Sequence, residues 1–115
     1  MRHKKNKMKK LGRGTDHRRK LLRTLASSVI VHEQIITTQA NAKAVRSYVD
    51  KMITKGKKDT LHAKRQLFSA LSEKAARKVI EILSGKYKER TGGYTRILIA
   101  GKAKDGMRKY LVELV

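Results

Sequence analysis

The stretch Tyr94-Thr95-Arg96-Ile97-Leu98-Ile99-Ala100-Gly101-Lys102-Ala103-Lys104-Asp105-Gly106-Met107-Arg108-Lys109-Tyr110-Leu111-Val112-Glu113-Leu114-Val115 decides the fold class of this 115-residue chain. Tyr94 to Ala100 is rich in β-branched and aliphatic side chains and predicts a strand. Met107 to Val115 predicts a second, and Gly101 to Gly106 a turn containing two glycines. Together they read as a hairpin with a longer loop. A lone hairpin is marginal in water, so it needs a third strand and a layer of helices to cover one face. Val31 to Thr38, another β-branched run, supplies the expected third strand.

Working outward, the remaining apolar residues recur at helical spacing. Leu21, Leu22, Leu25, Ala26 and Val29 make one stripe behind a cap at Thr15 or Asp16, with Arg19, Lys20, Arg23 and Ser27 on the other side. Thr37 or Thr38 caps a second helix that carries Ala42, Val45, Val49, Met52 and Ile53 and stops at Gly56. Asp59 caps a shorter third, with Leu61, Leu67, Phe68 and Leu71. Ser72 caps a fourth, with Ala75, Ala76, Val79, Ile80 and Leu83, ending at Gly85. The absence of proline leaves these helices unbroken. The expected fold is therefore mixed α+β: about four helices packed on a small three-stranded sheet. It forms a single globular domain over 15–115, preceded by a basic arm over 1–14.

Charge then limits the function. Thirty Lys and Arg against nine Asp and Glu give a net charge of +21 at pH 7. Repulsion on that scale opposes a compact state unless a polyanion neutralises it. The charge is concentrated at the start. Residues 1–23 hold eleven Lys/Arg and one Asp, a net of +10, and the other 92 residues carry the remaining +11. Within the first fourteen residues the only large apolar side chains are Met1, Met8 and Leu11, too few to offset ordering entropy by burial. Such an arm is expected to order only on its partner. Arg2, Lys4, Lys5, Lys7, Lys9, Lys10 and Arg13 are closely spaced on it, and phosphate contacts need positive charge more than fixed geometry. Arg18, Arg19, Lys20 and Arg23 follow on the first helix and can extend the same surface. A third candidate is the loop Arg90-Thr91-Gly92-Gly93-Tyr94-Thr95-Arg96. There glycines allow close backbone approach to phosphate and Tyr94 is offered as a stacking platform for an unpaired base. The alternative for Tyr94 is a core residue at a strand entry.

Other chemistries find little footing. There is no cysteine, which removes disulfides and cysteine-based zinc sites. His3, His17, His32 and His62 lack ligand spacing; His3 and His17 are expected to donate to phosphate or stack, and no metal or other cofactor is expected. Paired carboxylates, nucleophile elbows and phosphate-loop motifs are missing, so no enzyme activity and no small-molecule substrate are expected. No apolar run approaches the roughly 18 residues of a membrane span, and the arm lacks the apolar face of a membrane-active helix. The protein reads as cytoplasmic and unprocessed. A nucleoid-type DNA-binding protein shares the charge, but a DNA reader would be expected to show a helix-turn-helix or a dimer interface.

An ordered set of segments narrows the choice. Met1-Arg2-His3-Lys4-Lys5, Lys10-Leu11-Gly12-Arg13 and His17-Arg18 lead into the Leu-rich helix. His32-Glu33-Gln34-Ile35, Thr37-Thr38, Ala42-Lys43 and Gly92-Gly93-Tyr94-Thr95-Arg96-Ile97 follow, and Leu111-Val112-Glu113-Leu114-Val115 closes the chain. This set resembles the bacterial large-subunit ribosomal protein L-seventeen family over essentially the whole length. Differences are local: residues 7–8, Asn41 where relatives often carry proline, and the 102–108 turn. The resemblance implies an α/β fold with a small mixed sheet. It also implies binding to the large-subunit ribosomal RNA near the exit side of the subunit, with neighbouring ribosomal proteins as further partners. It adds Lys43 to the candidate RNA contacts and marks the arm and the Gly92–Arg96 segment as the most recurrent parts of the pattern.

Overall fold

A computed structural model describes residues 15–115, so the basic arm expected over 1–14 lies outside the described residues. Helix α1 (Thr15–His32) buries Leu22, Ala26, Val29 and Ile30 and leaves Arg19, Lys20 and Arg23 in solvent. It takes Val31 and His32, which β-propensity had assigned to a strand. Val29 and Ile30 lie on the buried stripe, and burial outweighs the strand preference of β-branched residues. The helix ends at Glu33, which adopts the left-handed conformation with φ 69°. Ser27, expected on the solvent side, is buried instead, and its hydroxyl accepts the Ser72 backbone N–H at 3.0 Å.

Strand β1 (Gln34–Thr37) follows, then α2 (Gln39–Gly56), where Thr38 caps by accepting the Asn41 N–H. Ala42, Val45, Val49, Met52 and Ile53 are all buried, matching the spacing. Helix α3 (Leu61–Ala70) is capped by Thr60 rather than Asp59. Asp59 forms an exposed ion pair with Lys64 at 3.5 Å. The apolar stripe of α3 is narrow: Ala63 and Leu67 are buried, but Leu61 and Phe68 are exposed. Helix α4 (Glu73–Lys78), capped by Ser72, runs on through a π turn at Val79–Leu83 and a last turn at Ser84–Lys86. Glu73 and Arg77 form the i,i+4 pair expected of them, at 3.2 Å. Gly85 sits inside the last turn rather than after it.

Strands β2 (Thr95–Lys102) and β3 (Arg108–Leu114) form the hairpin. Sheet order is β1-β3-β2, with β3 central and antiparallel to both neighbours. The sheet is therefore not mixed: β1 and β2 point the same way, but β3 separates them, so no two parallel strands touch. A bulge between Ile99 and Gly101 breaks the β2 register, and Gly101 takes φ 125° there. The row Ile35–Val112–Ile97 faces the helices, and Ile36–Leu111–Leu98 faces away from them.

Gly56 does more than end α2. A Cβ at this position would run into Val79 Cγ1 on the π turn and lie 3.5 Å from Leu67 Cδ1. Close packing of α2 against the fourth helix thus depends on the missing side chain. Gly56→Ala is expected to lower stability by about 1–3 kcal/mol, as overpacking does, even though alanine is the better helix former. Urea unfolding followed by circular dichroism measures it.

Candidate nucleic-acid interface

The candidate cations sit on three elements. On α1, His17, Arg19, Lys20 and Arg23 are exposed and Arg18 is half-buried. Arg23 is partly committed to the fold: its guanidinium donates to the Leu71 carbonyl at 3.0 Å, tying α1 to the α3–α4 junction. Lys43 is exposed on α2. Arg90, Gly92 and Gly93 are exposed in the loop between the fourth helix and β2. Arg96 projects from the outer face of β2 and donates to Glu113 Oε1 at 2.9 Å across the strands. Arg2, His3, Lys4, Lys5, Lys7, Lys9, Lys10 and Arg13 lie outside the described residues.

Tyr94 and Thr95 are inside the protein. Tyr94 is only 1% exposed, so its ring is not available to stack on a base. It packs against Tyr87 with ring centroids 5.1 Å apart. Lys57 Nζ donates to the Tyr94 hydroxyl at 3.0 Å and also to the Arg90 carbonyl, and the Tyr94 hydroxyl donates to the same carbonyl at 3.3 Å. Burial pushes the Tyr94 phenol up, but hydrogen bonds from Lys57 and Thr54 and the Lys57 charge outweigh it, and the net shift is downward. The Tyr87 hydroxyl donates to the Val115 carbonyl at 2.8 Å, and the Val115 N–H donates to the Tyr94 carbonyl at 2.9 Å. Both ends of the basic loop are thus fastened to the core, one to the end of α2 and one to the end of β3.

Thr95 is fixed in a similar way. Its hydroxyl donates to Asp50 Oδ1 at 3.0 Å, from α2 to the start of β2. Burial raises the Asp50 pKa, against the hydrogen bond from Thr95 and the charge of Arg46. Between these anchors Gly93 takes φ 63°, which favours glycine, while Gly92 faces open space. The loop is fastened at Tyr87, at the Arg90 carbonyl and at Tyr94, and leaves Arg90, Gly92 and Gly93 exposed, an arrangement suited to a phosphate backbone.

The description "Ribosomal protein L17" belongs to a family model that matches residues 21–115. The chain belongs to that family. Curated relatives agree over its length. A protein of Thermoanaerobacter pseudethanolicus named "Large ribosomal subunit protein bL17" is 46% identical over 109 residues, covering 93% of this chain and 97% of the relative. The Trichlorobacter lovleyi protein of the same name is 43% identical over 117 residues, covering 100% of this chain and 94% of its own. That of Syntrophotalea carbinolica is 41% identical over 117 residues, 100% of this chain and 75% of its own. The likeness to this ribosomal family therefore takes in the basic arm as well as the described domain.

One group of cations in this family member escaped the sequence reading. Lys51, Lys55 and Lys58 run along the solvent side of α2 and just past its end. The signal was present, since they recur at steps of four and three opposite Val45, Val49 and Met52. A count of arm charges hid it.

Proposed function

We propose that the protein is a structural, non-enzymatic constituent of the large ribosomal subunit that binds and stabilises the large-subunit ribosomal RNA. The observation that carries this reading is family membership over a domain whose exposed cations stand on rigid elements. Arg19, Lys20 and Arg23 are on α1, and the loop bearing Arg90 is pinned by Lys57, Tyr87 and Tyr94. The curated relatives carry large-subunit names, and subunit RNA is the polyanion that a charge of +21 needs nearby. On this reading the protein works in the cytoplasm, in the ribosome. Lys43, Gly92, Gly93 and Arg96 contribute contacts, while Tyr94 and Thr95 position the loop from inside. Neighbouring ribosomal proteins are accommodated by the outer sheet face, where Ile36 and Leu98 are 60% and 45% exposed on either side of Leu111.

Binding of the full chain to purified large-subunit RNA as a function of salt tests the mechanism. If about eight phosphates are neutralised, log affinity falls against log salt with a slope of roughly −6 to −7. A flat response would refute phosphate-dominated binding. Equal affinity for duplex DNA under the same conditions would favour a nucleoid-type protein instead.

A further inference from the structure

The end of α2 and the loop after the fourth helix line a shallow, open hollow of about 350 Å³ beside the Gly92 candidate contact. Its lining includes Lys51, Lys55 and Lys58 from the α2 side and Gly92 from the loop. The three lysines form no ion pair among the described residues, unlike Lys64 and Lys78. Lys51 and Lys55 lie four helical residues apart on α2, about 6 Å of rise, and Lys58 follows just past its end. That spacing is roughly the axial rise of two nucleotides in one strand, so a run of two or three phosphates can meet the three lysines. Lys57 does not belong to this set, because its ammonium is spent on Tyr94 and the Arg90 carbonyl.

The hollow is more than a cationic ridge. Its volume lies at the lower end of the range of small-ligand clefts, which suits a single nucleotide. A side chain at position 92 would point into open space, so the wall on that side is bare backbone. The lining also includes Asp50, half-buried and held by Thr95. A carboxylate repels phosphate but accepts from a base amino group or a ribose 2′-hydroxyl. The lysines suit phosphate, and Asp50, whose carboxylate already accepts from Thr95, suits a further hydrogen-bond donor of a nucleotide.

We infer that this hollow is a second RNA-binding site, distinct from the arm and α1, which seats one splayed-out ribonucleotide. Its own phosphate and those of its single-stranded neighbours lie on Lys51, Lys55 and Lys58, and its base or ribose donors face Asp50. Unpaired nucleotides in loops and bulges offer such an edge, and the 2′-hydroxyl exists only in RNA. The inference rests on the ribosomal RNA reading above and adds a specific place on the folded domain to it.

The test uses the full chain and purified large-subunit RNA. The triple variant Lys51→Gln, Lys55→Gln, Lys58→Gln alters only surface side chains, so its thermal unfolding should match the parent. Its salt slope should be smaller by about 2, from roughly 0.7 counterions per lost single-strand phosphate contact, and its affinity at least 10-fold weaker at about 0.1 M salt. A slope and affinity equal to the parent's overturn the inference. As a second readout, Glu89→Cys, exposed on the same loop but outside the hollow lining, supplies a unique attachment point, because the chain has no cysteine. An iron chelate tethered there should cut the bound RNA at a short, defined, unpaired stretch. Absence of cleavage in a complex that forms normally also overturns the inference, while leaving the ribosomal reading intact. Failure of the parent protein to bind this RNA at all overturns both.

Discussion

Removal of residues 1–13 lowers affinity for large-subunit RNA by a factor on the order of 1,000 or more at about 0.1 M salt, with the fold unchanged. Seven Lys and Arg leave with that segment. If about four of them contact phosphate at once, at roughly 0.7–0.9 counterions released per contact, the log–log salt slope shrinks by about 3. Most of that binding is electrostatic and independent of RNA sequence, so the loss is similar on any structured RNA. The residual binding is the part that discriminates, because it comes from groups on rigid elements: α1, Lys43, and the loop around Arg90. The described core begins at Leu22, and its packing uses α1 through β3. Helical circular dichroism and the unfolding midpoint of the truncated chain should therefore stay close to those of the full chain. Collapse of the fold on truncation would show that the arm is structural, and loss of affinity could then not be assigned to phosphate contacts.

The second large effect is on stability. Tyr94→Ala removes a fully buried ring, its tilted contact with Tyr87, and the hydroxyl that joins Lys57 to the Arg90 carbonyl. Loss of a buried aromatic side chain costs about 3–5 kcal/mol, a large share of the roughly 5–15 kcal/mol that holds a domain of this size together. The melting temperature is expected to fall by more than about 10 °C. Tyr94→Phe keeps the ring and should cost only about 1–2 kcal/mol, the scale of an unsatisfied polar group. If Tyr94 were an RNA stacking platform, the pattern would be reversed: Tyr94→Ala would weaken RNA binding with little change in melting temperature.

These two effects mark what could be read from the residues and what could not. Helix stripes such as Ala42–Val45–Val49–Ile53 and the β2–β3 hairpin were legible because burial imposes a period on the chain. The Ser72 cap and the Glu73–Arg77 pair were legible because their partners lie within one turn. Errors arose where a partner is distant in sequence. Ser27 looked like a surface serine because its hydrogen bond goes to residue 72. Tyr94 could be read equally as a stacking platform or as a core residue, because Lys57 and Tyr87, which enclose it, belong to other elements. The strand β1 was read too long because Val31 suits both a strand and the end of a buried helix. Asp59 lost the cap to its neighbour Thr60, a choice the residue types do not decide, since both can accept the first free N–H. Among the candidate contacts, charge density made the arm and α1 visible. The Lys51–Lys55–Lys58 ridge gains meaning only when the loop carrying Gly92 is folded against it.

Residence in the large ribosomal subunit, held there by RNA, is the proposed property on which the other expectations depend. A lysate from cells that make the full chain, sedimented through a sucrose gradient at moderate salt, tests it most directly. The protein is expected to travel with the large-subunit peak, and to leave it only when salt is raised enough to compete with phosphate contacts. Protein found at the top of the gradient, with the large subunits intact and sedimenting normally without it, would contradict the account.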